Sequence, residues 1–404
     1  MKKTLLFLVI LLAGSAIGAW AQTAVTPRNG KSVITVHNPN SYELKDAVVV
    51  VEVNDSHYLG ATVKAGFRTL PCQLDVFNNG ASREVAFVID LKAGETKTVK
   101  IFFSNASADP NAYRSRTHAQ MFLKENGQIV PKEVIAAPED NMYNRLHHHG
   151  PAIESELTAY RIYFDKKQTV DIYGKVVPRI ELPVTMWYPT DQQLIDKYGD
   201  DVLYVSSSVG VGALKGWDGS KSTHIEPMTG REAKILATGP VRAIMEMNVY
   251  GWEYNGRKID MNSRYTIYAG HRDVHVRNRI SGADLSGLEF STGLTKLRRG
   301  DVMETDRAGM IANWGRDFPV TDTVKYPMQT VGLGISVPEC HLIQSTQDQV
   351  NYLYVVKPDA NGEINYRITF AAEKEEFGYK TPEAFFRYIH VWKEEKPVRI
   401  VVKK

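Results

Sequence analysis

Three consecutive histidines, His147, His148 and His149, stand inside the chain at the centre of its densest polar segment, residues 144–154. Imidazole titrates near neutral pH, so histidine is the commonest general acid or base in proteins. In an extended backbone alternate side chains point to opposite faces, so at most two of the three reach one site together. The Gly-Pro that follows them predicts a loop at a sheet edge, where functional sites are common. An exposed edge without function is the alternative.

The next strand carries further candidate groups. Alternation places Tyr160 on one face and Arg161 and Tyr163 on the other, which we expect to be the polar face. A simpler alternative is that Arg161 and Asp165 only form a cross-strand charge pair on a solvated face. Lys175 closes the polar run 171–175 that comes after this strand.

A second concentration of ionisable residues covers 269–279. His271 begins a series in which every second residue is ionisable, and Arg272 lies on the opposite face. Such a strand is either a polar outer surface or the floor of a groove that binds an anion through Arg and His. Arg264 on the preceding strand extends the patch if the two strands pair as a hairpin.

The loop 215–219 places Trp217 beside Asp218 between glycines. An indole offers a flat apolar face to a sugar ring, and a carboxylate accepts hydrogen bonds from its hydroxyls. The alternative is a turn whose tryptophan packs back on the sheet. Aromatic residues make up 10% of the chain, which is consistent with carbohydrate binding.

No nucleotide-binding, nucleophile-elbow or zinc-protease motif occurs. A set such as His147, His149 and His271 could ligate a divalent metal, but no ligand spacing indicates one, so no cofactor is predicted. The net charge of +3 gives no reason to expect nucleic acid as a partner.

Residues 1–21 have the charged, apolar and small-residue order of an export signal. No cysteine follows the expected cleavage site, which favours the periplasm over a lipid anchor. No later stretch is apolar enough to span a membrane. Cys72 and Cys340 could pair in an oxidising compartment or remain buried thiols.

The remaining sequence predicts an all-β protein. Short alternating runs with Asn and Gly turns between Ser32 and Phe103 predict a small immunoglobulin-like β-sandwich over 22–112. Strand patterns rich in β-branched and aromatic residues then fill 113–404 almost without helices, which predicts one large antiparallel β-sandwich that carries the site. Only Asp191 to Tyr198 and Pro382 to Tyr388 suggest short helices.

Several long runs together resemble a family of exported Bacteroidetes proteins of formerly unknown function, encoded among polysaccharide-degrading enzymes. These runs are His148 to Glu154, Ala159 to Asp165, Val170 to Lys175 and Ala237 to Arg242. The resemblance covers nearly the whole mature chain and implies an all-β fold. One branch of the family is similar to an ulvan oligosaccharide dehydratase.

The resemblance implies β-elimination of water from a non-reducing-end uronic acid, which leaves a 4,5-unsaturated uronyl end. A cation must neutralise the carboxylate while a base removes the C5 proton and an acid protonates the departing hydroxyl. We expect the following residues to do this: catalytic His148, His149, Tyr160 and Lys175; substrate-binding Arg161, Tyr163, Trp217, Asp218, Arg264, His271 and Arg272.

Three other functions stay open. A polysaccharide lyase would share the proton abstraction but expel a sugar, and a sugar epimerase would leave the substrate mass unchanged. A periplasmic carbohydrate-binding protein would bind without turnover. The expected partner is an anionic oligosaccharide containing uronic acid.

Overall fold

The structure, a computed structural model, describes residues 23–109, 111–138 and 141–403 of the 404. The predicted export signal at 1–21 lies outside the described residues. The described chain is mostly β-strand, and this confirms the predicted all-β class. No helix in the described part is long and apolar enough to cross a membrane.

The N-terminal strands are short and follow one another through tight turns. They are β1 (Thr23–Val25), β2 (Lys31–His37), β3 (Leu44–Val53), β4 (Gly60–Ala65), β5 (Arg68–Leu70), β6 (Cys72–Phe77), β7 (Ser82–Leu91) and β8 (Thr96–Ser104).

The remaining strands begin after a segment without strands, in which the predicted domain boundary falls. They are β9 (Thr117–Gln120), β10 (Phe122–Glu125), β11 (Gln128–Pro131), β12 (Val134–Ala137), β13 (Ala152–Ser155), β14 (Thr158–Ile162), β15 (Val170–Gly174), β16 (Asp200–Asp201), β17 (Lys215–Trp217), β18 (Ser222–Thr223), β19 (Gly230–Ala237), β20 (Arg242–Tyr254), β21 (Arg257–Tyr268), β22 (Val274–Ser281), β23 (Phe290–Thr295), β24 (Arg299–Thr305), β25 (Met310–Asp317), β26 (Gln329–Ser336), β27 (Leu342–Gln347), β28 (Asn351–Val356), β29 (Glu363–Ala372) and β30 (Arg399–Lys403).

The helices are few, as the sequence predicts. They are α1 (Leu182–Thr185), α2 (Asp191–Ile195) and α3 (Pro382–Glu394), and single 3-10 turns cover Asn78–Gly80, His147–His149 and Glu339–His341. Helix α3 runs further than predicted. Thr381 caps its first turn by accepting a hydrogen bond from the Ala384 N–H at 3.3 Å, and Pro382 occupies its first position.

Two sheets form the small N-terminal sandwich. One has the order β1-β3-β7-β6 and the other β30-β2-β8-β4-β5. The last strand of the chain therefore returns to the first sandwich, where Val401 pairs with Thr35, whereas the sequence placed 399–403 with the large sandwich. Its pairing covers an edge of β2 that would otherwise present unpaired backbone groups.

The large sandwich consists of a nine-stranded sheet facing two five-stranded sheets. The nine-stranded sheet has the order β12-β19-β20-β21-β22-β29-β26-β25-β24. The smaller sheets have the orders β16-β15-β14-β13-β9 and β18-β17-β23-β28-β27. Their inner faces share one apolar core, in which β-branched and aromatic residues alternate with outward polar ones.

The two sandwiches pack against each other through β3. The continuous apolar run of this strand is explained by burial on both faces. Val49 and Val51 lie in the small core, while Val48 and Val50 contact Val241 and Tyr268 of the large sandwich.

The contact between the sandwiches is also ionic. Arg242 donates from Nε to Asp75 Oδ2 at 2.7 Å, and its Nη1 lies 2.8 Å from Glu84 Oε2. Both cysteines are free: Cys72 is buried in the small sandwich and Cys340 is exposed.

Candidate functional site

The three histidines form a tight turn rather than a strand. His148 and His149 adopt left-handed backbone angles, with φ of 43° and 69°. The turn is pressed against the end of β14, where a Cβ on Gly150 would lie 1.8 Å from the Ile162 carbonyl oxygen. Only glycine fits there, which explains its place after the histidines. The predicted loop is present. Its backbone is a tight turn, so the alternation of side chains expected for an extended backbone does not apply to the three histidines.

The middle histidine is closed off by protein. His148 is buried, with Phe122 and Trp187 around its ring. Its Nε2 lies 3.2 Å from Gln120 Nε2, and its Nδ1 has no hydrogen-bond partner among the described residues. Burial lowers the pKa of His148 well below its usual value, so its ring is neutral.

His149 is half-buried and stacks face to face on Tyr143, with ring centroids 3.7 Å apart. Its Nδ1 lies 2.9 Å from the Tyr143 carbonyl oxygen, so this nitrogen must carry the proton and donate it. Nε2 is then an unprotonated acceptor. Burial lowers the pKa of His149 to about 4, so the ring is a neutral base at ordinary pH.

The phenol of Tyr143 is the second unused group. Its hydroxyl makes no hydrogen bond within the part of the chain that the structure describes, and burial raises its pKa, so it keeps its proton. The Lys167 ammonium lies 5.4 Å from the centroid of this ring and 5.3 Å from that of Tyr163. An imidazole base, a phenol and a cation thus meet on one side of the sheet β16-β15-β14-β13-β9.

Arg161 forms the floor beneath these groups. It is buried, and it donates from Nε at 2.9 Å and from Nη2 at 2.6 Å to the same oxygen of Asp171. Its Nη2 also lies 2.7 Å from Asp201 Oδ2, and its guanidinium stacks over Trp187 at 4.4 Å. The simpler alternative of a solvated pair is therefore wrong, because the pairing is internal and enclosed.

Asp201 is the acid beside Arg161 whose pKa the site changes. Burial and the neighbouring Asp171 carboxylate raise the pKa of Asp201 to about 8. Tyr163 donates to Asp171 at 2.7 Å, and Tyr188 accepts from Arg161 Nη1 at 3.3 Å. Tyr188 is 47% exposed, so this network reaches solvent through its phenol.

Two of the predicted catalytic residues are fully used by the protein. Lys175 is completely buried; it forms an ion pair with Glu154 and donates to the carbonyl oxygens of Ser155 and Arg179 at 2.6 and 2.7 Å. Tyr160 faces the core, and its hydroxyl donates to the Arg272 carbonyl oxygen at 2.6 Å. Tyr160 lies on the side of β14 opposite Arg161, whereas Lys175 lies on the Arg161 side but is enclosed with Glu154.

The second predicted patch lies away from this site. The strands β21 and β22 do pair as a hairpin, which places Arg264 opposite Arg277, and Arg264 forms a 2.7 Å ion pair with Glu246. It lines a cleft of about 260 Å³ on the outer face of the large sheet, beside the small sandwich. The His271 Nε2 lies 2.9 Å from the Asp46 carbonyl oxygen of the small sandwich. Arg272 points away from this cleft, towards Phe370 and Glu375.

Arg272 donates at 2.9 Å to the Phe370 carbonyl oxygen and pairs with Glu375, under a cover of aromatic rings. Trp217 is buried in the large core, and its backbone N–H donates to the Tyr254 hydroxyl at 2.6 Å. Asp218 caps its own turn by accepting from the Ser220 and Lys221 N–H groups. This is the alternative in which the tryptophan packs back on the sheet.

Sequence reasoning missed Tyr143, Lys167 and Tyr188. Tyr143 stands four residues before the histidine turn, and this proximity was a signal for it. Tyr188 comes from the segment after α1, and no sequence signal joins that segment to the histidines. Among the described residues no group of three or more His, Cys, Asp or Glu is placed to hold a metal ion.

The fold and the site define an all-β protein of two sandwiches with an imidazole and phenol cluster at a sheet edge. The chain belongs to the family described as "Domain of unknown function (DUF4861)", whose model matches residues 36–401. No curated protein matches it.

Two solved structures from Enterococcus faecalis are similar in outline. A protein in the glycosyl hydrolase family 38 is 10% identical with a TM-score of 0.45, covering 93% of this chain and 48% of its own. An alpha-mannosidase from strain V583 is 10% identical with a TM-score of 0.44, covering 93% and 46%. This chain spans about half the length of those structures. At TM-scores this low the likeness carries no argument about function.

Proposed function

We propose that this protein is a carbohydrate-active enzyme that eliminates water from the non-reducing-end uronic acid of an oligosaccharide. The observation that carries the proposal is the stacked His149 and Tyr143 pair. One ring nitrogen and one hydroxyl of this pair are left unused by the protein, beside the Lys167 ammonium. A neutral base, a protonated phenol and a cation are the three groups that the elimination requires.

The proposed step assigns each group a role. Lys167, with Arg161 behind it, exchanges its Asp165 partner, 3.4 Å away, for the substrate carboxylate, so that negative charge can build up there as the C5 proton leaves. His149 Nε2 accepts that proton. The electron pair forms the C4–C5 double bond, the C4–O bond breaks, and Tyr143 protonates the departing hydroxyl to give water. Proton return from His149 to Tyr143 restores both groups.

This assignment changes the predicted catalytic set. Of the residues expected from sequence, His149 keeps its role and Arg161 supports the carboxylate site. Lys175 and Tyr160 are replaced by Lys167 and Tyr143, because all the hydrogen-bonding capacity of the Lys175 ammonium is taken up inside the protein. The proposed compartment is the periplasm, and the proposed substrates are uronate oligosaccharides such as those released from ulvan.

The experiment incubates the chain without residues 1–21 with uronate-terminated oligosaccharides and follows ultraviolet absorbance and product mass. Loss of one water with new absorbance is the expected result. Absorbance with chain shortening would instead make the enzyme a lyase, and an unchanged mass with a new sugar configuration would make it an epimerase. Binding without any product would leave only a carbohydrate-binding protein.

A matched pair of variants locates the reaction. His149→Gln should abolish turnover, whereas His390→Gln, at an exposed histidine that pairs with Glu304, should leave it intact. Equal activity of both variants would remove the histidine turn from the mechanism.

A further inference from the structure

The small sandwich carries an unusual outer surface. The sheet β30-β2-β8-β4-β5 packs its inner face on the small core, for example through Ile34 and Ile101. Alternation then points a second set of side chains outward. We name this surface the basic face, formed by Lys31, Lys64, Lys100, Phe102, Arg399 and Lys403.

The positive charge of the basic face is uncompensated. None of the five strands of this sheet contains an Asp or a Glu, whereas the opposite sheet of the same sandwich contains several, among them Asp75 and Glu84. Within the described residues, none of the basic-face cations forms an ion pair. Lys403 only donates to Thr98 Oγ1 at 3.3 Å.

The strand register concentrates these charges. Lys64 lies directly opposite Lys100, which pairs with Val33, and Val33 pairs with Lys403 on the next strand. Strands lie about 4.8 Å apart, so this row spans only about 15 Å. Like charges directly opposite each other destabilise a sheet, and the Debye length of about 8 Å at physiological salt leaves them coupled. Because none of the strands of this sheet carries a carboxylate to offset the repulsion, a bound anion would relieve it.

An aromatic ring lies among the cations. Phe102 is 37% exposed, with the Lys31 and Lys64 ammonium groups 5.6 and 5.8 Å from its centroid. Thr62 lies directly opposite Phe102, and Thr35 and Thr98, which pair with each other, also point outward further along the face. An apolar ring face beside hydroxyl donors and cations suits a sugar that bears carboxylate or sulfate groups.

We propose that the basic face binds an acidic polysaccharide chain through its carboxylate or sulfate groups. The face belongs to the small sandwich, whereas the candidate active site belongs to the large one, so the two sites can act on different parts of one polymer. That the polyanion is a polysaccharide rests on the proposed function. That the basic face binds a polyanion rests only on the charges and the ring described above.

The test measures binding of the chain without residues 1–21 to alginate, a polyuronate, by titration calorimetry at low and high sodium chloride. The unsubstituted protein should bind alginate, and binding should weaken as salt rises. K64E/K100E should weaken binding by about 10-fold or more, because it replaces two neighbouring cations of the row with anions that repel the polymer. The exposed pair K92E/K221E changes the net charge equally and should leave binding intact.

Three outcomes would overturn the proposal. They are equal alginate binding by K64E/K100E, equal binding of neutral dextran, and tighter binding of double-stranded DNA or anionic vesicles than of alginate. K64Q/K100Q, with a smaller expected loss, replaces the charge reversal if that variant does not fold. Oligosaccharide turnover by K64E/K100E should equal that of the unsubstituted protein, while His149→Gln should still bind alginate, so the two proposals fail separately.

Discussion

The Lys175 ammonium and the His149 imidazole come from two polar segments of the sequence, 171–175 and 144–154, and the fold treats them in opposite ways. Lys175 is completely buried, and Glu154 and two carbonyl oxygens take up its donors. His149 is half-buried, and one of its nitrogens is left unused. A charged group whose hydrogen bonds are all satisfied inside the protein stabilises the fold, whereas an unused polar atom beside solvent is free for a substrate.

The largest expected effect is a loss of stability when the buried Lys175 ammonium is removed. Lys175→Met leaves the Glu154 carboxylate buried without its cation, so we expect the free energy of unfolding to fall by about 3–5 kcal/mol. Denaturant titration measures this. Lys197→Met removes the cation of an exposed pair with Glu376 and should cost less than about 1 kcal/mol. Equal losses would contradict the buried ion pair.

The second effect is on the pH profile. Because the pKa of His149 is held at about 4 by burial, the base stays unprotonated down to that pH. The acid limb of kcat/KM should therefore have its midpoint near pH 4, not near the ordinary histidine value of about 6.5. Steady-state rates measured between these two pH values test this prediction. A midpoint near the ordinary histidine pKa would show that a group other than His149 is the base.

The third effect concerns the Tyr143 hydroxyl, which the protein leaves unused. Tyr143→Phe removes the unused hydroxyl and should lower kcat by about 100-fold or more while the melting temperature stays nearly unchanged. Rate measurements and a thermal scan of the same preparation test both parts. Loss of stability without loss of rate would assign Tyr143 a purely structural role.

Tyr160→Phe is the converse case, with a smaller effect. Its hydroxyl is buried and donates to the Arg272 carbonyl oxygen, which also accepts from Thr158 at 2.9 Å. We expect a loss of about 1 kcal/mol in the free energy of unfolding and no change in kcat. A large fall in kcat would return Tyr160 to the catalytic set.

The smallest effect is expected at Asp218. This carboxylate caps an exposed turn by accepting backbone hydrogen bonds, and an asparagine side chain can accept them as well. Asp218→Asn should leave KM for the oligosaccharide and the melting temperature nearly unchanged. A clear rise in KM would place the 215–219 loop in the substrate site after all.

Local pattern was enough to predict much of the architecture. Alternation of apolar and polar residues predicted the all-β class, and the sequence also indicated short helices where α2 and α3 begin. It could not predict that β30 joins the first sandwich, because such pairing joins residues more than 360 positions apart. Nothing in the local sequence distinguishes one open sheet edge from another.

For the candidate site, the sequence by itself determined where polar and titratable side chains concentrate: the histidine turn and Arg161 with its neighbouring tyrosine. Only the tertiary structure decided which groups stay available. It buried His148 and Lys175, enclosed Trp217 in the core, and brought Lys167 to the His149 and Tyr143 pair. The physical reason is that residue type and spacing fix which hydrogen bonds and charges a side chain can offer. Whether other groups of the protein take up those hydrogen bonds and charges depends on segments that are distant in sequence and come together only in the folded chain.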